Sequence, residues 1–422
     1  MQLKFYIVFS IVLSILSILG NKYSVGMIEY PLFFIFIIFS FINSSKSFVL
    51  IKKYMNILFL FISLLILNSF VSEYTDSPIY ALIGSVITLL PFLLFLISYN
   101  YKFTFSQINL YVDIWICIVL SLCFIAYCET YILGTVKLGN ALLSISILKF
   151  GFFASLCNQG LIFSLDRYSI THRNKYLLAI LFLTFSIFLF VQLKVIIGSI
   201  IIYILYFLYI IKMAKFKKRI YLCVMIFVSV LIVISVDVIS SKIDRYIGMY
   251  GDKYSYENIA RTALYYQAFN MSNDFFPIGT GQGTYGSIPV NMRYSQVYYD
   301  YRLSQVGGLG KDSEEDYKMD THWASILGEN GYLGTIIYLM LFFFPLRYLK
   351  RTKLLRFNNS IKFLLMTPLI VMMIEATVLS IPTRFCFMFI YAGLNSIICR
   401  YITEYNKSIK PSYFYESFAS NN

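Results

Sequence analysis

The amino-acid sequence predicts an all-α fold: a polytopic integral membrane helical bundle of about 12 transmembrane helices, with one large extracytoplasmic loop containing short helices. Three observations lead there. The 422 residues are 59% hydrophobic and only 13% charged, roughly half the charged fraction of a soluble globular domain. Apolar runs close to the ~20 residues needed to span a bilayer recur along most of the chain. Only one passage, Ser240 to Gly334, is both long and polar.

The apolar runs fall near residues 3–20, 30–43, 54–71, 79–98, 110–127, 144–165, 176–192, 195–211, 220–238, 332–346, 361–380 and 385–399. They divide one integrated membrane domain into helices one to nine over 1–238, the large loop over 239–331, and helices ten to twelve with a tail over 332–422. No small-residue cleavage site follows the first run, so an uncleaved first span is expected in place of a signal peptide.

A formal net charge of +14 would point to nucleic acid in a soluble protein. Its distribution excludes that partner and fixes a topology instead. Residues 239–330 hold 8 Lys+Arg against 11 Asp+Glu, and the remainder holds 27 against 10. Basic clusters follow every second span: Lys46, Lys52 and Lys53; Arg167, Arg173 and Lys175; Lys212 to Arg219; and Arg347 to Arg356. Such clusters mark cytoplasmic loops, so both termini are expected in the cytoplasm and the large loop outside. The seven cysteines lie in or beside apolar runs, with neither a disulfide framework nor zinc spacing.

In chain order, spans one to four carry no mid-depth charge and read as scaffold. Asp113 is an interfacial carboxylate near the start of span five. Lys149-Phe150-Gly151-Phe152-Phe153, followed by Asn158, suggests a partly re-entrant start to span six. Lys149 there could hold a lipid phosphate or simply snorkel to the interface. Span seven ends at Gln192-Leu193-Lys194 and span eight follows at once with Gly198-Ser199. A charge at so tight an outer turn is costly unless paired, which makes Lys194 a site candidate.

Within the loop, Ser255 to Ser272 reads as an amphipathic helix. One face would hold Ile259, Ala263, Tyr266 and Asn270, the other Arg261, Leu264, Tyr265 and Ala268. Glycines at 279, 281, 283 and 286 fit a turn, and phosphate cradling is the competing use. The acidic run Asp312 to Asp320 reads as solvated, with no metal expected. Twelve of the 37 tyrosines lie in 239–330 and would suit stacking on sugar rings. His322 precedes Glu329 by seven positions, so on a helix both share one face. Thr321 or Asp320 would cap that helix, and Gly331 and Gly334 would let it bend into span ten.

Phe275-Phe276-Pro277-Ile278-Gly279-Thr280-Gly281, an Arg-bearing helix before it, and His322 followed by Gly328-Glu329-Asn330-Gly331-Tyr332-Leu333-Gly334 resemble the bacterial O-antigen polymerase and O-antigen ligase superfamily. The likeness covers the architecture of the whole chain and, by residue, roughly 140–200 and 255–335. It implies polymerisation of undecaprenyl-diphosphate-linked oligosaccharide repeat units of an O-antigen, capsule or exopolysaccharide, on the outer face of the bacterial plasma membrane. No cofactor or metal is implied. The lipid-linked oligosaccharide and the bilayer are the implied partners, with a chain-length regulator and a flippase as candidate protein partners. It assigns Arg261 and His322 to the active site, with Glu329 orienting the imidazole. A Ser-Arg-Gly type element is usual after span seven; Leu193-Lys194-Val195 stands there, keeping a cation but losing the arginine fork.

An anionic diphosphate leaving group requires cations near the interface, and Lys194, Arg384, Arg245 and Lys149 are available. Three alternatives stand beside the polymerase: a ligase moving finished glycan to another acceptor, a polysaccharide flippase or transporter, and a sugar-binding structural protein. Transporters concentrate polar groups near the midplane and show repeats, whereas this chain concentrates them in one outer loop.

Overall fold

Long apolar runs in a bilayer can satisfy their own backbone only as helices, and helices are what the chain forms. The computed structural model describes residues 2–23, 29–44, 51–127, 150–189, 192–210, 260–313, 316–355, 357–378 and 381–419. Among these residues there is no strand. The helices before the loop are α1 (Gln2–Tyr23), α2 (Glu29–Ser44), α3 (Lys52–Val71), α4 (Pro78–Ser98), α5 (Phe105–Tyr127), α6 (Phe150–Thr171), α7 (Asn174–Leu189) and α8 (Leu193–Tyr209). The loop holds α9 (Ala260–Asp274), α10 (Ile288–Met292) and α11 (Val297–Asp300). After it come α12 (His322–Phe342), α13 (Asn358–Glu375), α14 (Phe385–Met388) and α15 (Asn395–Ala419), the last two joined by a π turn.

Five helical stretches among the described residues are long and apolar enough to cross a membrane: Lys52–Val71, Pro78–Ser98, Phe105–Tyr127, His322–Lys353 and Phe385–Ser408. Shorter apolar helices accompany them. Large apolar side chains point outward from these helices, among them Phe59, Phe70, Leu82, Phe124, Leu178 and Ile336. That is the surface a lipid-facing bundle presents.

The differences from expectation are local. Span nine, at 220–238, lies outside the described residues. Phe150–Asn158 was expected to be partly re-entrant but is continuous helix within α6. Span ten follows a break at Gly331, before which His322 to Asn330 form a separate helical segment of α12 that packs back on the second, His322 beside Tyr338 and Trp323 beside Phe342.

The bundle has two unlike ends. At one, the basic clusters find partners: Arg167 pairs with Asp113 through Nε at 2.8 Å, and Tyr176 donates to the same carboxylate at 2.8 Å. Arg400 pairs with Glu404 at 3.0 Å and lies over the Tyr99 ring. Asp113 is therefore paired locally by Arg167 and Tyr176. At the other end sits a cap with a core of its own, built on Ala263, Leu264, Ala268, Met271, Tyr285, Val297, Tyr298, Leu309 and Leu327. From Ala260 on, the described residues of the polar passage thus form a packed unit. Its buried stripe on α9 is Ala260, Ala263, Leu264, Ala268 and Met271, while Tyr266 is exposed. The expected division of that helix into faces was wrong: short Ala side chains, neutral in hydropathy, mark the side that packs closely.

Candidate functional site

The site is framed by the way the cap grips α12. Gly331 leaves helical geometry at φ 60° and ψ −168°, a region that essentially only glycine occupies. The expected bend into span ten is there. A Cβ at Gly279 would lie 2.4 Å from the Gly331 nitrogen, so loop and helix touch backbone to backbone. Thr280 N–H donates to the Gly328 carbonyl at 2.9 Å, Gly281 N–H to the Glu329 carbonyl at 3.1 Å, and Leu333 N–H to the Pro277 carbonyl at 3.1 Å. From α3, the Asn68 amide donates to the Ile278 and Glu329 carbonyls, each at 2.6 Å. The Gln282 amide donates to Asn330 at 2.8 Å and accepts from Thr88 at 3.2 Å. The Thr280 and Gly281 N–H groups are thus committed to α12 and the Gly279 N–H to Phe275, the arrangement of a turn.

Glu329 belongs to the same clasp. Its Oε1 accepts from the Tyr285 N–H at 3.1 Å and from the Ser287 hydroxyl at 2.5 Å. It does not meet His322, whose Nε2 lies 3.0 Å from the Tyr338 hydroxyl. Seven helical positions share a face but rise about 10 Å, too far for a hydrogen bond. The orienter of the imidazole is therefore Tyr338, and the role expected of Glu329 is corrected. His322 is buried at 4% exposure and packs edge-on against Trp323. Its N–H donates to the Ala376 carbonyl at 3.2 Å, tying the start of α12 to the end of α13. Thr321 occupies the capping position but makes no capping bond, and its buried hydroxyl has no partner.

Four charged side chains converge beside this joint. Arg261 of α9 reaches Asp320 with Nη2 at 2.7 Å and Nε at 3.2 Å, both to Oδ2. Burial raises the Asp320 carboxyl above its ordinary value, and the Arg261 guanidinium and Lys194 pull it back down. Lys194, in the first turn of α8, lies within electrostatic reach of Glu375, Arg261 and Asp320, and its Nζ is buried with no hydrogen-bond partner. Glu375 ends α13; its Oε1 accepts from Asn158 at 2.6 Å, and its Oε2 is buried without a partner. Two cations and two acids thus lie within one another's field at the cap end of the bundle.

The remaining expected residues are not brought to this cluster. Arg384 stands in the turn between α13 and α14, half-buried, and makes no side-chain hydrogen bond or ion pair among the described residues. Lys149 and Arg245 lie outside the described residues. Of the acidic run, Asp316 accepts from Asn291 and pairs with Lys318, while Asp320 serves Arg261. Several loop tyrosines work internally: Tyr285 and Tyr298 are fully buried, and Tyr265 donates to the Thr377 carbonyl at 2.9 Å. Tyr74, from the turn between α3 and α4, and Tyr80, in the first turn of α4, line a cleft beside the Asp76–Arg293 pair.

No protein-family model matches the chain, and no curated protein matches its sequence. Function is therefore read from the site. Sequence reasoning missed Asp320 as the partner of Arg261, Tyr338 as the partner of His322, and the Asn158–Glu375 bond. For Glu375 a signal existed, since an acid inside an apolar run is rarely idle. Nothing in local spacing announces the other two.

Proposed function

We propose that the chain is a membrane glycosyltransferase that polymerises undecaprenyl-diphosphate-linked oligosaccharide repeat units on the outer face of the bacterial plasma membrane. In this reading twelve helices span the bilayer, both termini are cytoplasmic and the cap faces outward. The observation that carries it is the gathering of Lys194 and Arg261 at the cap end of an apolar bundle. Cations fixed where a lipid-borne anion arrives stabilise the charge that develops on a departing diphosphate.

Arg261 presents a planar fork suited to phosphate oxygens. Two of its N–H groups donate to Asp320 Oδ2, with which a diphosphate oxygen would compete. His322 would take the proton of the acceptor hydroxyl while the glycosyl carbon–oxygen bond to diphosphate breaks. With Nε2–H donated to Tyr338, the Nδ1 lone pair is the proton acceptor. Ligase-type transfer uses the same groups and differs in its acceptor.

Purified protein in liposomes, supplied with lipid-linked repeat units, should build long chains. His322→Gln should slow it by about 10²–10⁴, the usual cost of losing a general base, and Lys194→Ala should weaken donor use. Wild-type protein that leaves the repeat units single would overturn the polymerase. Transfer of preassembled glycan to a second acceptor would replace it with the ligase.

A further inference from the structure

We infer that Glu375, steadied by Asn158, is a positioning residue that supplies the counter-charge for Lys194 and keeps its ammonium available to an incoming diphosphate. The inference rests on the anion-binding reading of Lys194 above and adds to it a residue on another helix.

Three helices meet to make the arrangement. The Asn158 amide of α6 donates both to Glu375 Oε1 at 2.6 Å and to the Val195 carbonyl at 2.9 Å. One side chain thus ties the carboxylate of α13 to the turn of α8 that bears Lys194. Gly198 makes the approach possible: a Cβ there would lie 2.6 Å from Asn158 Nδ2 and 3.4 Å from Glu375 Oε1. With Oε1 held, Oε2 has no hydrogen-bond partner among the described residues, and neither has Lys194 Nζ. Both atoms are buried, and each group when charged lies within the other's field.

The charges acting on Lys194 are Glu375 from α13, Arg261 from α9 and Asp320 from the segment before α12. Arg261 repels it. Asp320 is already bonded to Arg261, which leaves Glu375 as the carboxylate for Lys194. Cys157 and Ser155 of α6 also face Glu375 and bring no positive charge. A buried ammonium without a counter-charge gives up its proton. An arginine in the same place would stay charged regardless, so the dependence on Glu375 follows from having lysine at 194.

The test measures chain formation and binding of inorganic pyrophosphate by purified Glu375→Gln, Lys194→Arg and the double variant, in mildly acidic and mildly alkaline buffer. Glu375→Gln should lose roughly tenfold or more in both readouts at alkaline pH, the size of one proton-affinity unit. The defect should shrink in acid, where proton uptake restores the charge. Lys194→Arg added to Glu375→Gln should bring both readouts back to the level of Lys194→Arg alone, which a merely structural defect would not allow. Equal behaviour of Glu375→Gln and wild type across that range overturns the inference, as does a folded double variant no better than Glu375→Gln. If wild type binds pyrophosphate with this dependence on Glu375 but polymerises nothing, the inference stands and the polymerase reading falls.

Discussion

Glu329 shows how a residue can be legible as important and illegible as to why. Its carboxylate accepts from the Tyr285 N–H and the Ser287 hydroxyl, and an amide oxygen accepts equally well. Glu329→Gln should therefore keep both fold and chain formation. Glu329→Ala strands buried donors, at a cost of about 1–3 kcal/mol, and should lower the thermal midpoint in detergent. A folded but inactive Glu329→Gln would return this carboxylate to the chemistry. Lys194 could be picked from sequence as a charge at the edge of an apolar run, and Arg261 and His322 from the motifs that carry the resemblance. Their partners could not, because Asp320 and Glu375 reach Arg261 and Lys194 through packing of separate elements and Tyr338 reaches His322 only by the fold-back at Gly331.

Most helices were readable from hydropathy, since in a bilayer length and apolarity leave little freedom. Reading failed where polarity and structure part company. The first turns of α12 are polar in sequence, yet they form a helix that ends at Gly331 and packs on the apolar helix following it. Gly331→Ala would force a side chain into a glycine-only conformation, about 1–3 kcal/mol of strain, and set its Cβ 2.5 Å from the Pro277 carbonyl oxygen. Loss of folded protein from the membrane fraction is the expected outcome. Gly307→Ala meets nothing within 4 Å and should accumulate like wild type. Equal abundance of the two variants would mean that the clasp does not hold α12.

For the whole molecule, the alternation of basic clusters was the most informative sequence signal, and the partners of Arg167 and Arg400 gather at the end away from the cap. The side of the membrane each end occupies is open to direct measurement. In a cysteine-free background, Ser313→Cys should react with an impermeant thiol reagent on spheroplasts, and Ala214→Cys should not. Labelling of Ala214→Cys alone would invert the topology and remove the outer site with it.

The clasp between α3, α4 and the glycine turn also sets an order of assembly. Asn68 bonds to Ile278, 210 residues later in the chain, and Thr88 to Gln282, 194 residues later. At ~5–20 residues per second of synthesis, α3 waits on the order of 10–40 s before the carbonyls its amide will meet have been made. During that interval a polar side chain destined for full burial has only water, lipid headgroups or the insertion machinery for company. The first half of the bundle is therefore built incomplete and closed from behind by its own later sequence.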